Sequence, residues 1–403
     1  MANKDNKDNT NNAIKETQKE FKNTQNITKI EDFGLNNMDL YRGDTPTDIN
    51  DQCLQLCKDY LSGEWIQQTV DTITIKRITG GLTNQLYYCG INEPNPTSKV
   101  PQEVVIRFYG KKHIKNSSDN YERLSDVIID LMVSENQLGP KVYAIFEHGQ
   151  IIKYYKHRQF KIAEQSNPKL VDEVFRKLAR IHAMDVPIKR TNTRLDRIDE
   201  WYRFAFEGNF DIKAIFEANN CQTLLNADIK SEIDFIKDVI VKADSPIVFN
   251  HCDYRSSNLL VTESADKTDG PIVVCDFEYG SYGFRGFDFK SLIQEWGRKP
   301  FDYSVDGLPL EDSVLRPLVE IYVNECEKIF GKQFTANEIN SVDHIINEIN
   351  LLHLFSLLFL TIFFIKMDLE DKSDIKTNPF LFAETFLKNY LVLKQRYQEL
   401  NLV

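Results

Sequence analysis

The pattern of apolar and polar residues divides the chain into a short segment rich in strands and a longer segment rich in helices. Short apolar runs separated by turns fill residues 69–107 and predict strands. Beyond residue 158, apolar positions three and four apart predict helices over residues 169–184, 196–206, 226–242, 311–330, 338–365 and 379–398. This order predicts an α+β protein with a small β-rich N-terminal lobe and a larger, mainly helical C-terminal lobe.

The boundaries of the lobes follow from the elements between these segments. A helix over residues 121–138 and a hairpin over residues 142–155 complete the first lobe. We therefore expect an N-terminal lobe over residues 46–155 and a C-terminal lobe over residues 156–403. Residues 1–45 are rich in Asn and Lys and lack apolar periodicity, which predicts a disordered tail.

The most apolar run of the chain lies at residues 351–365. A membrane-spanning helix needs about 20 such residues. This run is shorter, carries His353 and Ser356, and ends at Lys366. We therefore predict a buried core helix rather than a membrane span.

Composition and charge narrow the class of protein. Among 403 residues, 49 are Lys or Arg and 60 are Asp or Glu, which gives a net charge of −11. A nucleic-acid-binding protein normally carries a basic face, so we expect no nucleic-acid partner. The 7 Cys include no Cys-x-x-Cys pair, and the N-terminus lacks the apolar core of a secretory signal. These features favour a cytoplasmic enzyme.

Polar side chains follow two apolar runs that predict strands. Asp253 and Asn258 come after the first run, and Asp276 ends the second. Phosphoryl transfer needs one carboxylate to accept the proton of the attacking hydroxyl, and further oxygen ligands to hold Mg²⁺ on the phosphates. The spacing predicts Asp253 as the base and Asn258 with Asp276 as Mg²⁺ ligands. Taken singly, each residue also fits an ordinary turn or strand end.

The turn at residues 79–84 is a candidate phosphate loop. It contains Gly80, Gly81, Thr83 and Asn84, and its backbone N–H groups can cover the phosphates of ATP. The same residues fit an ordinary hairpin turn equally well.

Two further features suit an ATP site. Arg107 ends an apolar strand about 25 residues after the turn, where a cation has to meet the α- and β-phosphates. The helix over residues 121–138 offers Asp126 or Glu122 as an ion-pair partner for Arg107. The hairpin around Lys153 and Tyr155 is the expected hinge, where backbone groups contact adenine.

A longer motif resembles a known family. The sequence of residues 276–288 resembles a motif of the choline/ethanolamine kinase family. Three shorter pieces share this resemblance: Glu295-Trp296, Gly80–Asn84 and the apolar strand that ends near Arg107. The resemblance covers about residues 70–400. It implies a two-lobed, protein-kinase-like fold with ATP between the lobes. It also implies transfer of the γ-phosphate to choline or ethanolamine, and suggests a homodimer.

The resemblance assigns roles by matching position. Asp253 is then the base, Asn258 and Asp276 hold Mg²⁺, and Glu278 lies near the same metal ions. Arg107 matches the phosphate-contacting Arg, and the wall of the alcohol pocket is matched by Tyr279, Glu295 and Tyr303. Asp288 is expected to cap a helix that begins at Phe289.

The chain departs from the family pattern near the acceptor. Arg255 stands where choline kinases commonly carry Gln, and Lys290 lies in an altered stretch. Ser356 and Phe359 stand where the family often supplies two Trp. A quaternary ammonium relies on aromatic faces, each worth about 0.5–2 kcal/mol. We expect Phe359 to line the acceptor pocket with the Tyr residues and Glu295 named above.

Three functions remain open at this point. The motifs around residues 285–296 favour choline kinase, with ethanolamine kinase as an alternative. Another small-molecule phosphotransferase of the aminoglycoside type shares the spacing of Asp253 and Asn258. A catalytically quiet nucleotide-binding protein is the third. A protein kinase is disfavoured, because no Ala-Pro-Glu motif follows Asp276 and Glu278 replaces a Gly.

Overall fold

The computed structural model describes residues 43–79, 83–110, 122–263, 270–299, 302–370 and 378–403. Nearly all of the predicted tail, residues 1–45, lies outside these ranges. The first described helix is α1 (Ile49–Leu61), close to the predicted start of folded structure. Its buried face carries Cys53 and Cys57, one helical turn apart, which pack against the first sheet as free thiols.

A five-stranded antiparallel sheet forms the N-terminal part of the described structure. Its strands are β1 (Ile73–Ile78), β2 (Gln85–Ile91), β3 (Glu103–Phe108), β4 (Val142–Phe146) and β5 (Gly149–Lys153). They lie in the order β1-β2-β3-β5-β4. Helix α2 (Glu122–Glu135) connects β3 to β4. Strands β3 and β5 are the most buried, and each has hydrogen-bonded neighbours on both edges.

Two small sheets hold the polar loops of the C-terminal part. Strands β6 (His157–Gln159), β8 (Leu259–Thr262) and β9 (Ile272–Val274) form one, and β7 (Ile247–Asn250) with β10 (Ser281–Phe284) forms the other. All of these pairs are antiparallel. The short apolar strands fix the positions of the loops that follow β7 and β9.

Helices make up most of the C-terminal part, as the apolar spacing predicts. Those before β7 are α3 (Ile162–Gln165), α4 (Pro168–His182), α5 (Thr193–Phe206), α6 (Ile212–Ala218), α7 (Gln222–Asn226) and α8 (Ile229–Ala243). Those after β10 are α9 (Gly286–Gln294), α10 (Asp312–Phe330), α11 (Val342–Glu370) and α12 (Pro379–Glu399).

Helix α11 is the core of this helical part. It begins at Val342 rather than near residue 338, because a 3₁₀ turn (Glu338–Asn340) precedes it and the Ser341 hydroxyl accepts from the His344 N–H. By length and apolar composition it meets the criteria for a membrane-spanning helix, but 83% of its most apolar window is buried inside the protein. The burial supports the prediction of a core helix.

Helix α9 packs very closely on α11. A Cβ added at Gly286 would lie 2.6 Å from Leu352 Cδ1, so a larger residue there would have to displace the buried Leu352 side chain. Beside this contact the buried guanidinium of Arg285 pairs with Glu348 of α11, which also accepts from the Ser245 hydroxyl at 2.9 Å. These contacts set the position of α9, whose side chains support the polar loops.

We predict that Leu352→Ala lowers the free energy of unfolding by about 2–5 kcal/mol, because it opens a cavity between two helices. Leu352 is fully buried. Chemical denaturation measures the change. Leu124→Ala is the control, since Leu124 also lies on a helix but is 55% exposed. Equal losses in the two variants would contradict this account of the core.

Candidate active site

The loop after β7 carries His251, Cys252 and Asp253 in a conformation that needs outside support. Cys252 has a left-handed backbone with φ of 71°, which is uncommon for a residue other than glycine. The Asp288 carboxylate accepts the His251 N–H at 2.7 Å and the Cys252 N–H at 2.8 Å. These charge-assisted hydrogen bonds offset the strain of the loop.

Asp288 is fully buried in the first turn of α9. The prediction that it caps a helix beginning at Phe289 was wrong: the helix begins at Gly286, and the carboxylate faces the loop instead. His182 Nε2 lies 3.3 Å from the same carboxylate. Burial opposes ionisation, but these hydrogen bonds hold the pKa of Asp288 below its usual value.

His251 joins the two loops that carry the candidate catalytic residues. Its Nδ1 accepts the Asp253 N–H at 3.1 Å, and its Nε2 lies 2.8 Å from the Cys275 carbonyl oxygen. The first contact makes Nδ1 the acceptor, so Nε2 carries the proton. His251 therefore orients the backbone beside Asp253.

Asp253, Asn258 and Asp276 converge at the ends of the short strands. Asn258 Nδ2 donates to Asp253 Oδ2 and to the Asp253 carbonyl, both at 2.9 Å. The Cys275 N–H, next to Asp276, donates to the Asn258 carbonyl at 2.9 Å. The three predicted residues thus lie around one point, reached from two loops.

A group of carboxylates lies on the side of this point that faces the first sheet. Arg107 Nη2 is 3.1 Å from Asp276 Oδ1 and 3.7 Å from Glu278 Oε2. Desolvation, followed by the charge of Glu278, raises the pKa of Asp276 to about 7, although Arg107 acts in the opposite direction. Because the carboxylates of Asp276 and Glu278 repel each other, binding of a further cation beside them would be favourable.

The donor set fits Mg²⁺ in its chemistry. Asp276, Glu278 and the Asn258 amide supply oxygen ligands, which Mg²⁺ prefers. Within the described ranges, no group of three or more His, Cys, Asp and Glu side chains forms a metal site. Two carboxylates and one amide leave coordination positions for phosphate oxygens and water, as in nucleotide-dependent sites.

The end of the candidate phosphate loop reaches the same place. Asn84 Nδ2 donates to Glu278 Oε2 at 2.9 Å, and its Oδ1 accepts the Gly110 N–H at 3.2 Å. The Thr83 side chain hydrogen bonds with Tyr279. Gly80 and Gly81 lie outside the described residues.

The helical partner of Arg107 is Asp130, at 3.7 Å, and not Asp126. Asp126 instead binds Arg123 at 3.1 Å, and the side chain of Glu122 lies outside the description. Asp130 is one turn beyond Asp126 on the same face of α2, so spacing alone does not choose between them. Sequence reasoning missed Asp130 for that reason.

The predicted hinge lies at the end of β5. Lys153 is its last residue, and the Lys153 ammonium is 5.0 Å from the ring of the buried Tyr155. The Tyr155 carbonyl oxygen is 2.7 Å from His157 Nδ1. The assignment of this segment to adenine remains a prediction.

The predicted acceptor residues are only partly brought together. Glu295 Oε1 accepts from Arg255 Nη2 at 2.7 Å, and Glu295 Oε2 accepts the Ser256 N–H at 3.0 Å. The Tyr303 hydroxyl shares the neighbourhood of Arg255 and Asp253. Phe359 lies in the helical core, 5% exposed, with its ring centroid 5.1 Å from that of Trp201.

Two basic residues extend this acceptor side. Arg194, which no sequence signal indicated, donates from Nη2 to the Cys252 carbonyl at 3.0 Å and lies 5.6 Å from the centre of the Phe359 ring. Lys290 is buried on α9. Burial and the charge of Arg194 lower the pKa of Lys290 to about 7.

A model of the choline/ethanolamine kinase family matches residues 75–391. The chain belongs to the choline/ethanolamine kinase family. It is 27% identical over 304 residues to choline kinase A2 of Caenorhabditis elegans, covering 68% of this chain and 69% of that protein. It is 28% identical over 263 residues to choline/ethanolamine kinase of Rattus norvegicus, covering 65% and 64%. The aligned part thus spans about two thirds of each relative's own length.

Solved structures confirm the predicted two-lobed, protein-kinase-like fold. A choline kinase from Cryptosporidium parvum Iowa II has a TM-score of 0.65 at 18% identity, covering 88% of this chain and 97% of that chain. An ethanolamine kinase of Plasmodium vivax has a TM-score of 0.62 at 18% identity, covering 90% and 94%. At this identity the likeness establishes the fold and not the acceptor.

We predict that Asp288→Asn lowers the free energy of unfolding by about 1.5–3 kcal/mol, because it removes the charge from the hydrogen bonds that hold the loop. Urea denaturation measures this loss. Hydrogen exchange at the His251 and Cys252 amides reports the loop directly, and both amides should exchange faster. Asp238→Asn, at an exposed position of α8, is the matched control. Unchanged amide protection in Asp288→Asn would refute the supporting role.

Proposed function

We propose that this chain transfers the γ-phosphate of ATP to the hydroxyl of a small amino alcohol, choline or ethanolamine. Such a reaction forms phosphocholine or phosphoethanolamine, a first step toward the corresponding phospholipid. The observation that carries the proposal is the convergence of Asp253, Asn258 and Asp276 in a chain of the choline/ethanolamine kinase family. The names of the relatives include both choline kinase and ethanolamine kinase.

Asp253 is the proposed base. Its Oδ2 is held by Asn258 Nδ2 and its backbone by His251, so the carboxylate has a fixed direction. It accepts the proton of the acceptor hydroxyl while the oxygen forms a bond to the γ-phosphorus. The bond from that phosphorus to the bridging oxygen breaks, and ADP leaves with the electron pair.

Asp276 and Asn258 are the proposed Mg²⁺ ligands, with Glu278 beside them. Mg²⁺, when bound, neutralises charge on the phosphate oxygens. Arg107 is the proposed contact to the α- and β-phosphates, and it already lies among these carboxylates. The turn ending at Thr83 and Asn84 covers the phosphates in this proposal.

The two other candidate functions have less support. An aminoglycoside phosphotransferase with bound ADP has the same fold, with a TM-score of 0.50 at 13% identity. Polycationic acceptors call for an acidic acceptor pocket, whereas Arg194, Arg255 and Lys290 lie beside Asp253 here. A catalytically quiet protein is disfavoured, because the base and the proposed metal ligands are all present.

We predict that the purified protein phosphorylates an amino alcohol in the presence of Mg²⁺ and ATP, and that Asp253→Asn lowers kcat by about 10²–10⁴-fold by removing the base. A coupled assay of ADP release with choline and with ethanolamine measures both. The variant should keep its far-ultraviolet circular dichroism and its affinity for ADP. Asp238→Asn again serves as the control. Absence of transfer to both alcohols, or full turnover by Asp253→Asn, would defeat the proposal.

A further inference from the structure

The charges around Asp253 differ on the two sides of the candidate base. On the nucleotide side lie Asp276 and Glu278, which are suited to a metal ion. On the other side, the carboxylate of Glu295 lies within electrostatic reach of Arg255 and Tyr303. An amino alcohol that presents its hydroxyl to Asp253 has its nitrogen two carbons away. A nitrogen that points away from Asp276 and Glu278 would lie toward Arg255, which is within electrostatic reach of Asp253, and toward its partner Glu295.

Both oxygens of Glu295 already have protein partners. Arg255 Nη2 is 2.7 Å from Oε1, and the Ser256 N–H donates to Oε2 at 3.0 Å. The side chains are 13% and 3% exposed, so water screens the pair only weakly. The negative charge of Glu295 is therefore largely matched by the guanidinium before any acceptor arrives.

Two neighbouring basic side chains, Lys290 and Arg194, also make this side less favourable for a cationic acceptor. Lys290 is 6% exposed and lies on α9. It lies within electrostatic reach of Asp253, Arg194 and Arg255, and its lowered pKa makes it a weaker source of positive charge than either Arg. The guanidinium of Arg194 lies 4.5 Å from the Phe287 ring centre and 5.6 Å from that of Phe359. A protein cation therefore already uses the aromatic faces on this side.

Quaternary and primary ammonium ions respond differently to such a pocket. A trimethylammonium group has no N–H, so it gains only from negative charge and from aromatic faces. A primary ammonium also donates hydrogen bonds, and a carboxylate or phenol oxygen that already has one partner can accept another. Neutralising Glu295 thus removes more of the attraction for choline than of that for ethanolamine.

We propose that Arg255 is a specificity-determining residue: by binding Glu295 it withdraws the counter-charge of a quaternary ammonium and selects for acceptors that donate hydrogen bonds. The inference deepens the proposed function and rests on it. It makes Arg255 a positioning and charge-matching residue for the acceptor, with no role at the phosphates. It also differs from the preference for choline that the motifs alone favour.

The test compares kcat/KM for choline and ethanolamine in the unaltered protein, Arg255→Gln and Arg255→Met. The unaltered protein should prefer ethanolamine. Both variants should raise kcat/KM for choline by about tenfold or more, the scale of change when one partly buried charge pair is lost. The ratio of choline to ethanolamine efficiency should rise with it, while KM for ATP stays the same.

Arg316→Gln is the matched control, because Arg316 pairs with two exposed carboxylates, Asp312 on α10 and Asp343 on α11. Its substrate ratio should equal that of the unaltered protein. A preference of the unaltered protein for choline overturns the inference, and so does an unchanged ratio in Arg255 variants that bind ADP normally. No transfer to either alcohol by any of these proteins, with ADP still bound, overturns the proposed function itself. Transfer to choline that only the Arg255 variants perform supports both.

Discussion

One buried carboxylate, that of Asp288, holds the geometry on which the candidate active site depends. It accepts two consecutive backbone N–H groups of the loop that presents Asp253, and it lies against His182. The loop needs this support because Cys252 adopts a left-handed backbone, a conformation that costs about 1–3 kcal/mol for such a residue. Helix α9 supplies the carboxylate, and the close contact of α9 with α11 fixes that helix. The direction of Asp253 is therefore set by the packing of the helical core.

On the proposed nucleotide side, carboxylates lie close to one another, so repulsion between like charges acts there. Asp276 and Glu278 lie near each other and near Asp130, and Arg107 is the cation that reaches all three. Asn84 adds a hydrogen bond from the same sheet to Glu278. The first sheet is thus joined to the loops after β7 and β9 by the groups that are proposed to contact the nucleotide and its metal ion.

Sequence patterns succeed here where chemistry follows directly from strand ends. Asp253, Asn258 and Asp276 each follow a short apolar strand, so their convergence is predictable from spacing and strand pairing. The same patterns fail where two residues are equivalent by spacing. Asp126 and Asp130 share a face of one helix, and their different partners, Arg123 for Asp126 and Arg107 with Gln150 for Asp130, separate their roles. They also fail for long-range partners: nothing local places Asp288 against the backbone of a loop 36 residues away.

The acceptor side illustrates a further limit, because a side chain's role there depends on which partner it has already found. The resemblance assigns Glu295 to the acceptor pocket, but its carboxylate in this chain is bound by Arg255 and by a backbone N–H. Phe359 likewise has the aromatic character expected at its position, yet it lies in the core with Arg194 near its ring. A residue type shows what a position can offer to a ligand. The contacts that a side chain makes within the protein determine how much of its charge or ring face is available to a ligand. Here they leave less negative charge and less aromatic surface for a quaternary ammonium than the residue types alone indicate.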